Sequence, residues 1–381
     1  MTLGQKNEQL ITQLCLSYYR LRRSKRSFDQ IMDLLELTTK QIMDIPGATD
    51  ELDGDDVQDT LRRPAKFLGK GMNDLTEVEW EQLVKDNLLT VKSYEVFFVL
   101  PQLLDFPDGY HLGQGIIVTY ATCPQSIQVA LSKLDDGLIF EEDQSLVRST
   151  NSLHLLKIAI QACGPAKAIS KATKLADDIM HILRFEYGKN VVVSSVLASR
   201  EGGVLVRVNA TKLEDFLRYL SINDEYTKRL DSVMLDSHPN DLETRLRNSI
   251  RLYGMAIEAT RSEIKFSLLM NALEGLLMTE SDKDNVTTRL AEKVAFLLET
   301  DQQTRLTLFK KTKDLYKMRS DFVHQTKDFA GISELDELEL NDVFSNVFKR
   351  LLELHDEGYE SIQKRQATKT VDGLVEELKF G

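Results

Sequence analysis

The sequence predicts an N-terminal α+β region followed by an all-α helical bundle, and three observations carry that expectation. All seven prolines lie at or before position 239, so residues 240–381 are free of the residue that most often interrupts helices. Short runs rich in β-branched and aromatic residues (YEVFFVLP, GIIVTYAT, NVVVSSVLAS and GVLVRV) are confined to about 94–208. Apolar residues recur at helical spacing on both sides of that stretch.

Bulk properties narrow the class. A chain of 381 residues is long enough for two or three domains. With 42% hydrophobic and 28% charged residues it can bury a core, which excludes disorder as a whole-chain description. A net charge of −12 disfavours a protein that coats DNA or an anionic membrane by bulk charge. Cys15, Cys123 and Cys163 are odd in number and lack zinc-site spacing, so reduced thiols in a cytoplasmic compartment are expected. No run of 18 apolar residues occurs and the opening MTLGQKNEQL lacks a signal-peptide pattern, so no membrane partner is expected.

Residues 1–43 read as N-terminal helices, with Leu10, Ile11, Leu14, Tyr18 and Leu21 and then Ile31, Leu34, Leu35 and Ile42 in register. Between them, five basic side chains lie from Arg20 to Arg26, either a solvated helix end or a patch for nucleic acid or a partner. Residues 44–93 are expected to form an acidic linker and a helical segment. Seven acids and no basic residue lie between Asp44 and Asp59, and Gly54 does not fit the register of a calcium loop. Residues 94–239 read as a mixed α+β domain that senses a trigger or selects a substrate. EGG at 201–203 would turn its last hairpin, and Ile169, Ala172, Leu175, Ala176, Ile179, Ile182 and Leu183 mark a helix.

The bundle occupies 240–381, opening after LDSHPND with Asp241 available as a helix N-cap. Helices are expected at about 242–258, 262–279, 286–298, 302–324 and 335–363, with a short piece near 371–379. Leu308, Leu315 and Phe322, supported by Met318, would bury one side of the fourth. The polar loop HQTKDFAGISELDE would separate the fourth from the fifth.

Familiar catalytic patterns are absent from the sequence: no phosphate-binding Gly-rich loop with a following Lys-Ser/Thr, no His-Glu-x-x-His, no Gly-x-Ser-x-Gly and no dinucleotide fingerprint. No metal and no cofactor is expected. What stands out is DLYKMRSDFVH at the end of the fourth helix, which places Arg319 and His324 with four residues between them. It follows a helix reading LLMNALEGLL, with Glu274, and a helix reading TRLAEKVAFLL, with Arg289. Over residues 242–363 this combination resembles the HEPN domains, and among them the Apea-like group. The resemblance implies a HEPN-type helical bundle that homodimerises to bring two Arg-x4–6-His motifs into one cleft. It implies a metal-independent endoribonuclease, with tRNA a plausible substrate, of the kind used in toxin, abortive-infection and anti-phage defence systems, under control of a partner or antitoxin protein. By position, Arg319 would bind phosphate and His324 would be the acid/base. The family commonly has Asn, Asp or His after the motif arginine; here Ser320 stands there, followed by Asp321.

The residue chemistry fits such a reaction. Histidine is the side chain whose ordinary pKa suits taking a proton from a ribose 2′-OH, and a guanidinium can bridge two oxygens of the phosphorane. Ser320 and Asp321 lie four and three residues before His324 and could orient its imidazole. Glu274 could pair with the arginine or take part in catalysis. From Arg305 to Arg319 there are six basic residues and one acid, Asp314, so Lys310, Lys313 and Lys317 are candidate RNA contacts. Five helical positions, however, are about 140° apart, so Arg319 and His324 share a face only if the helix ends or bends before His324, or if two protomers complete each other. The alternative is a non-catalytic scaffold that binds a partner protein or nucleotide.

Overall fold

The computed structural model describes residues 4–23, 27–62, 74–100, 103–104, 108–138, 154–188, 191, 193, 195–200, 203–208, 219–220, 230–231, 233–234, 239–279, 282, 284–324, 332–362, 372–373, 375 and 378. Among these, side chains at 103–104, 120, 132–138, 195, 203–208, 219–220, 322–324 and 356–362 lie outside the description. The chain divides into two compact units, Met1–Ala176 with Val192–Arg218 and Asp177–Val191 with Tyr219–Gly381. Among the described residues no helix is long and apolar enough to cross a membrane.

The first unit opens with helices α1 (Gln5–Arg22), α2 (Phe28–Met43), α3 (Ala48–Glu51), α4 (Gly54–Arg62) and α5 (Glu77–Val84), the last continuing as a π-helical turn over Lys85–Leu89. Local chemistry sets two of the starts. Ser27 and Gln30, and Thr76 and Glu79, form reciprocal capping boxes that satisfy the first N–H groups of α2 and α5. Leu10 and Leu21, counted in the apolar stripe of α1, stay about two-fifths exposed, while Ile11, Cys15, Tyr18 and Tyr19 are buried. Trp80 anchors this core: its indole N–H donates to the Cys15 carbonyl at 3.0 Å, and the rings of Tyr18 and Tyr19 stack beside it.

The described arginines of the basic run are joined to their own unit. Arg20 forms a fork with Glu77 at 2.8 Å, Arg22 donates to the carbonyls of Leu61 and Arg62, and Arg23 donates to the Tyr19 hydroxyl. Residues 24–26 lie outside the described residues.

The acidic stretch is not the exposed linker expected from its charge. It folds as α3 and α4, with Ala48, Leu52, Val57 and Leu61 buried in the same core as Trp80. The reason is non-local. Asp56, 7% exposed, accepts the backbone N–H groups of Ala166 and Lys167 at 3.0 and 2.8 Å, capping a helix that begins 109 residues later at Pro165. Lys167 donates to the Thr49 carbonyl and Lys171 pairs with the Glu51 carboxylate, which ties the stretch to the same helix.

Six strands form one antiparallel sheet: β1 (Lys92–Leu100), β2 (Tyr110–Leu112), β3 (Gly115–Thr119), β4 (His154–Ala162), β5 (Ser195–Arg200) and β6 (Gly203–Val208), in the order β2-β3-β4-β1-β5-β6. β4 was not among the expected strands: in HLLKIAIQA the polar residues His154, Lys157 and Gln161 fall three and four apart, a spacing that does not separate strand from helix. It is nonetheless interior to the sheet, with Lys157 opposite Phe97 of β1 on one side and Ile116 of β3 on the other. Helix α6 (Gln125–Leu138) covers the Phe97 face through Ile127 and Leu131. β5 and β6 pair as the hairpin reading requires, with Arg200 opposite Gly203; residues 201–202 lie outside the described residues.

Helix α7 runs Pro165–Tyr187, and its residues from Asp177 belong to the second unit. That unit contains α8 (Asp241–Glu258), α9 (Ser262–Leu277), α10 (Val286–Leu298), α11 (Gln302–His324) and α12 (Glu334–Ile362), each bound within two residues of expectation. The N-cap of α8 is Asn240 rather than Asp241: Asn240 and Glu243 form the capping box, and Asp241 pairs with Arg245 at 2.8 Å. Phe185, Tyr253, Phe344 and Phe348 make an aromatic core, with Tyr253 and Phe344 stacked at 5.2 Å. In the α11 stripe Leu315 and Thr312 are buried and Leu308 and Met318 half-buried; the Phe322 side chain lies outside the described residues. Of the short piece near 371–379, residues 372, 373, 375 and 378 are described, and Val375 is buried.

Candidate functional site

The site is built where α11 lies against α9. Helix α9 is apolar on most sides, burying Phe266, Leu269, Met270, Leu273, Leu276 and Leu277. Asn271 and Glu274 interrupt that surface one turn apart, and therefore share a face. Leu315 seats α11, and Tyr316 and Arg319 follow, again one turn apart.

The Arg319 Nη2 donates to Asn271 Oδ1 at 3.1 Å and lies 3.6 Å from Glu274 Oε2. Its carbon centre stands 5.8 Å from the Tyr316 ring, within reach of a cation–π contact. Burial pushes the Tyr316 phenol up to about 12, helped by its hydrogen bond to Glu274 and that carboxylate's charge, with Arg319 pulling the other way. Tyr316 therefore stays protonated and donates to Glu274. Arg319 is thus held through one terminal nitrogen, while its Nε is buried and has no hydrogen-bond partner. The side chain as a whole is 23% exposed.

The structure brings Arg319 and Glu274 together and adds Asn271 and Tyr316, which the sequence reading did not name. A signal for both existed: a lone Asn three residues before a Glu in an apolar helix, and a Tyr three residues before the motif arginine. Arg289 is elsewhere on the bundle surface, half-exposed and 3.6 Å from Glu292.

Helix α11 continues through His324 without ending earlier. The backbone positions of Arg319 and His324 are therefore about 140° apart around the axis within one chain. The His324 side chain lies outside the described residues. Ser320 is half-buried and Asp321 exposed. Positions 310, 313, 317 and 324 fall within a sector of about 60° on the ideal helix, on the side away from position 319. Lys310 and Lys317 are exposed there, and the Lys313 ammonium lies 5.5 Å from the Phe309 ring. Lys311 pairs with Glu339 at 3.3 Å, and Arg305 donates to the Glu299 carbonyl and stacks on Phe296.

Among the described residues, no group of three or more His, Cys, Asp or Glu side chains is placed to hold a metal ion. No family model matches the chain, and no curated protein or solved structure matches it.

Proposed function

We propose that the bundle is an RNA-cleaving module of the HEPN type, acting as a homodimer. The observation that carries the reading is the anchoring of Arg319 by Asn271 and Glu274 through Nη2 at the end of a lysine-bearing helix. An arginine fixed from behind is pre-organised for a phosphate, so little rotamer freedom remains to be lost on binding. Lys310, Lys313, Lys317 and position 324 share the other side of α11, where a phosphate backbone could lie. His324 would take the 2′-OH proton, and Arg319 would stabilise the charge on the phosphorane. The 2′-oxygen would displace the 5′-oxygen from phosphorus, and the imidazolium would return the proton to that leaving oxygen, giving a 2′,3′-cyclic phosphate and a 5′-OH. Because positions 319 and 324 do not share a face in one chain, the reading requires Arg319 of one protomer to meet His324 of the other.

A second reading, a non-catalytic bundle that binds a partner protein or nucleotide, is favoured by the Glu274 carboxylate, which offsets the Arg319 charge. One experiment separates the two. The purified chain is incubated with tRNA and with total RNA in EDTA, beside Arg319→Ala and His324→Ala. The nuclease reading expects cleavage by the parent chain and loss in both variants. Cleavage that persists in both excludes Arg319 and His324 as its source, and no cleavage by the parent chain with a stably co-purifying partner supports the second reading.

A further inference from the structure

Lys293 on α10 is 6% exposed, a position where an ammonium needs full compensation. Its Nζ donates to the Leu277 carbonyl at the end of α9 (2.9 Å), to Asp282 Oδ2 (2.5 Å) and to Asp372 Oδ1 (2.5 Å). The Thr279 backbone N–H also donates to Asp282, at 2.9 Å. The Thr279 hydroxyl lies 2.9 Å from Asp282 and 2.8 Å from Asp372, and its single proton serves either carboxylate. Three residues after Asp372, Val375 is 3% exposed. The Asp372 carboxylate thus reaches Lys293 of α10 and Thr279 after α9, and Val375 close to it in sequence is buried.

Without that segment the Lys293 ammonium still has a carboxylate partner. Lys293 keeps Asp282 and the Leu277 carbonyl, Asp282 keeps Lys293 and both Thr279 donors, and the Thr279 hydroxyl keeps Asp282. The remaining pair is neutral. Asp372 is the surplus anion, and its side chain is 35% exposed where that of Asp282 is 8%. Its departure leaves Lys293 paired with Asp282, whereas loss of Asp282 would leave Lys293 without its enclosed partner.

We infer that Lys293, Thr279 and the end of α9 form an exchangeable docking socket for a peptide segment that presents an acid three residues before an aliphatic side chain, and that the 372–375 segment is its occupant in cis. The carboxylate is recognised by charge-assisted bonds from the ammonium and hydroxyl, and the aliphatic group by burial. The inference is independent of whether the bundle cleaves RNA.

The test uses the full chain and a fluorescent peptide of residues 369–381 followed by anisotropy. The double variant Asp372→Asn with Val375→Ser vacates the cis site, and the peptide is expected to bind it at least tenfold more tightly than the parent chain. The same peptide carrying Asp372→Asn is expected to lose at least tenfold on that variant, and Lys293→Gln added to the variant is expected to abolish binding. Equal binding to parent and variant, no binding to either, or indifference to the peptide's aspartate overturns the proposal. Because Lys293→Gln also weakens the bundle, hydrogen exchange on the parent chain is the second measurement. Amides at 373 and 375 are expected to exchange at least a hundredfold faster than those around Lys293. Equal rates, meaning that the segment leaves only on global unfolding, overturn it as well.

Discussion

Arg319 and Glu274 stand 3.6 Å apart across two helices of the bundle, with Asn271 accepting from the same guanidinium nitrogen. The pair is partly open to solvent, so its Coulomb energy is modest, and its main effect is to fix where the guanidinium lies. That arrangement separates charge from geometry. Lys in place of Arg keeps the charge but has one nitrogen, which cannot satisfy the α9 anchors and grip a phosphate together. Under the nuclease reading Arg319→Lys is expected to cleave RNA at least tenfold more slowly than the parent chain. Asn271→Ala is expected to lose about tenfold, the equivalent of one charge-assisted hydrogen bond of ~1.4 kcal/mol. Single-turnover cleavage at saturating enzyme reads both.

Asp56 links stability to pH in the first unit. Burial pushes its carboxyl up to about 6, against the two backbone N–H bonds that pull it down. A carboxyl whose folded value exceeds its unfolded value of 3.8 contributes stability that is fully present below 3.8 and is lost as pH rises through 6. Asp56→Asn keeps a side-chain acceptor without the charge. Relative to the parent chain, that variant is expected to gain about 3 kcal/mol on going from pH 3.5 to pH 7. Urea denaturation at the two values measures it. Gly164→Ala is expected to destabilise the same cap, because the new methyl would lie 2.2 Å from the Asp56 carboxyl carbon.

The bundle carries the opposite dependence at His181. Burial, then the neighbouring Arg184, holds its imidazole down to about 4, below the ordinary 6.5. The unfolded chain takes up the proton first, so stability is complete above 6.5 and falls as pH drops toward 4. Denaturation midpoints at pH 7 and pH 4.5 are expected to differ less in His181→Gln than in the parent chain, with about 2 kcal/mol assigned to this group. The ring also packs against Gly254, where an added Cβ would lie 2.0 Å from Nδ1. Gly254→Ala is expected to cost about 1–3 kcal/mol, as overpacking does.

Glu243 serves two contacts at once. One carboxylate oxygen accepts the Asn240 backbone N–H at 2.7 Å to close the α8 capping box; the other meets His355 Nε2 of α12 at 2.9 Å. Glu243→Ala removes a cap and a buried partner together, and a loss of about 2–4 kcal/mol is expected. His355→Ala spares the cap, so a smaller loss is expected. Thermal unfolding of the two variants at one pH orders them.

Helix positions in the second unit were legible from residue order alone, because a 3.6-residue apolar period and the capping chemistry at its ends are properties of neighbours in the chain. The five bundle helices, the reach of α11 to His324 and the presence of Arg319 on it are of that kind. Contacts between distant segments decided the rest. The acidic run around Asp56 looks like a solvated linker until Ala166 and Lys167 supply the N–H groups it caps. HLLKIAIQA becomes a central strand because Phe97 and its neighbours on β1 offer a ladder. Asn271 and Tyr316 join Arg319 only when α9 and α11 are packed side by side. Local periodicity fixes where helices begin and end, but the partner of a buried polar group is chosen by whichever remote segment reaches it.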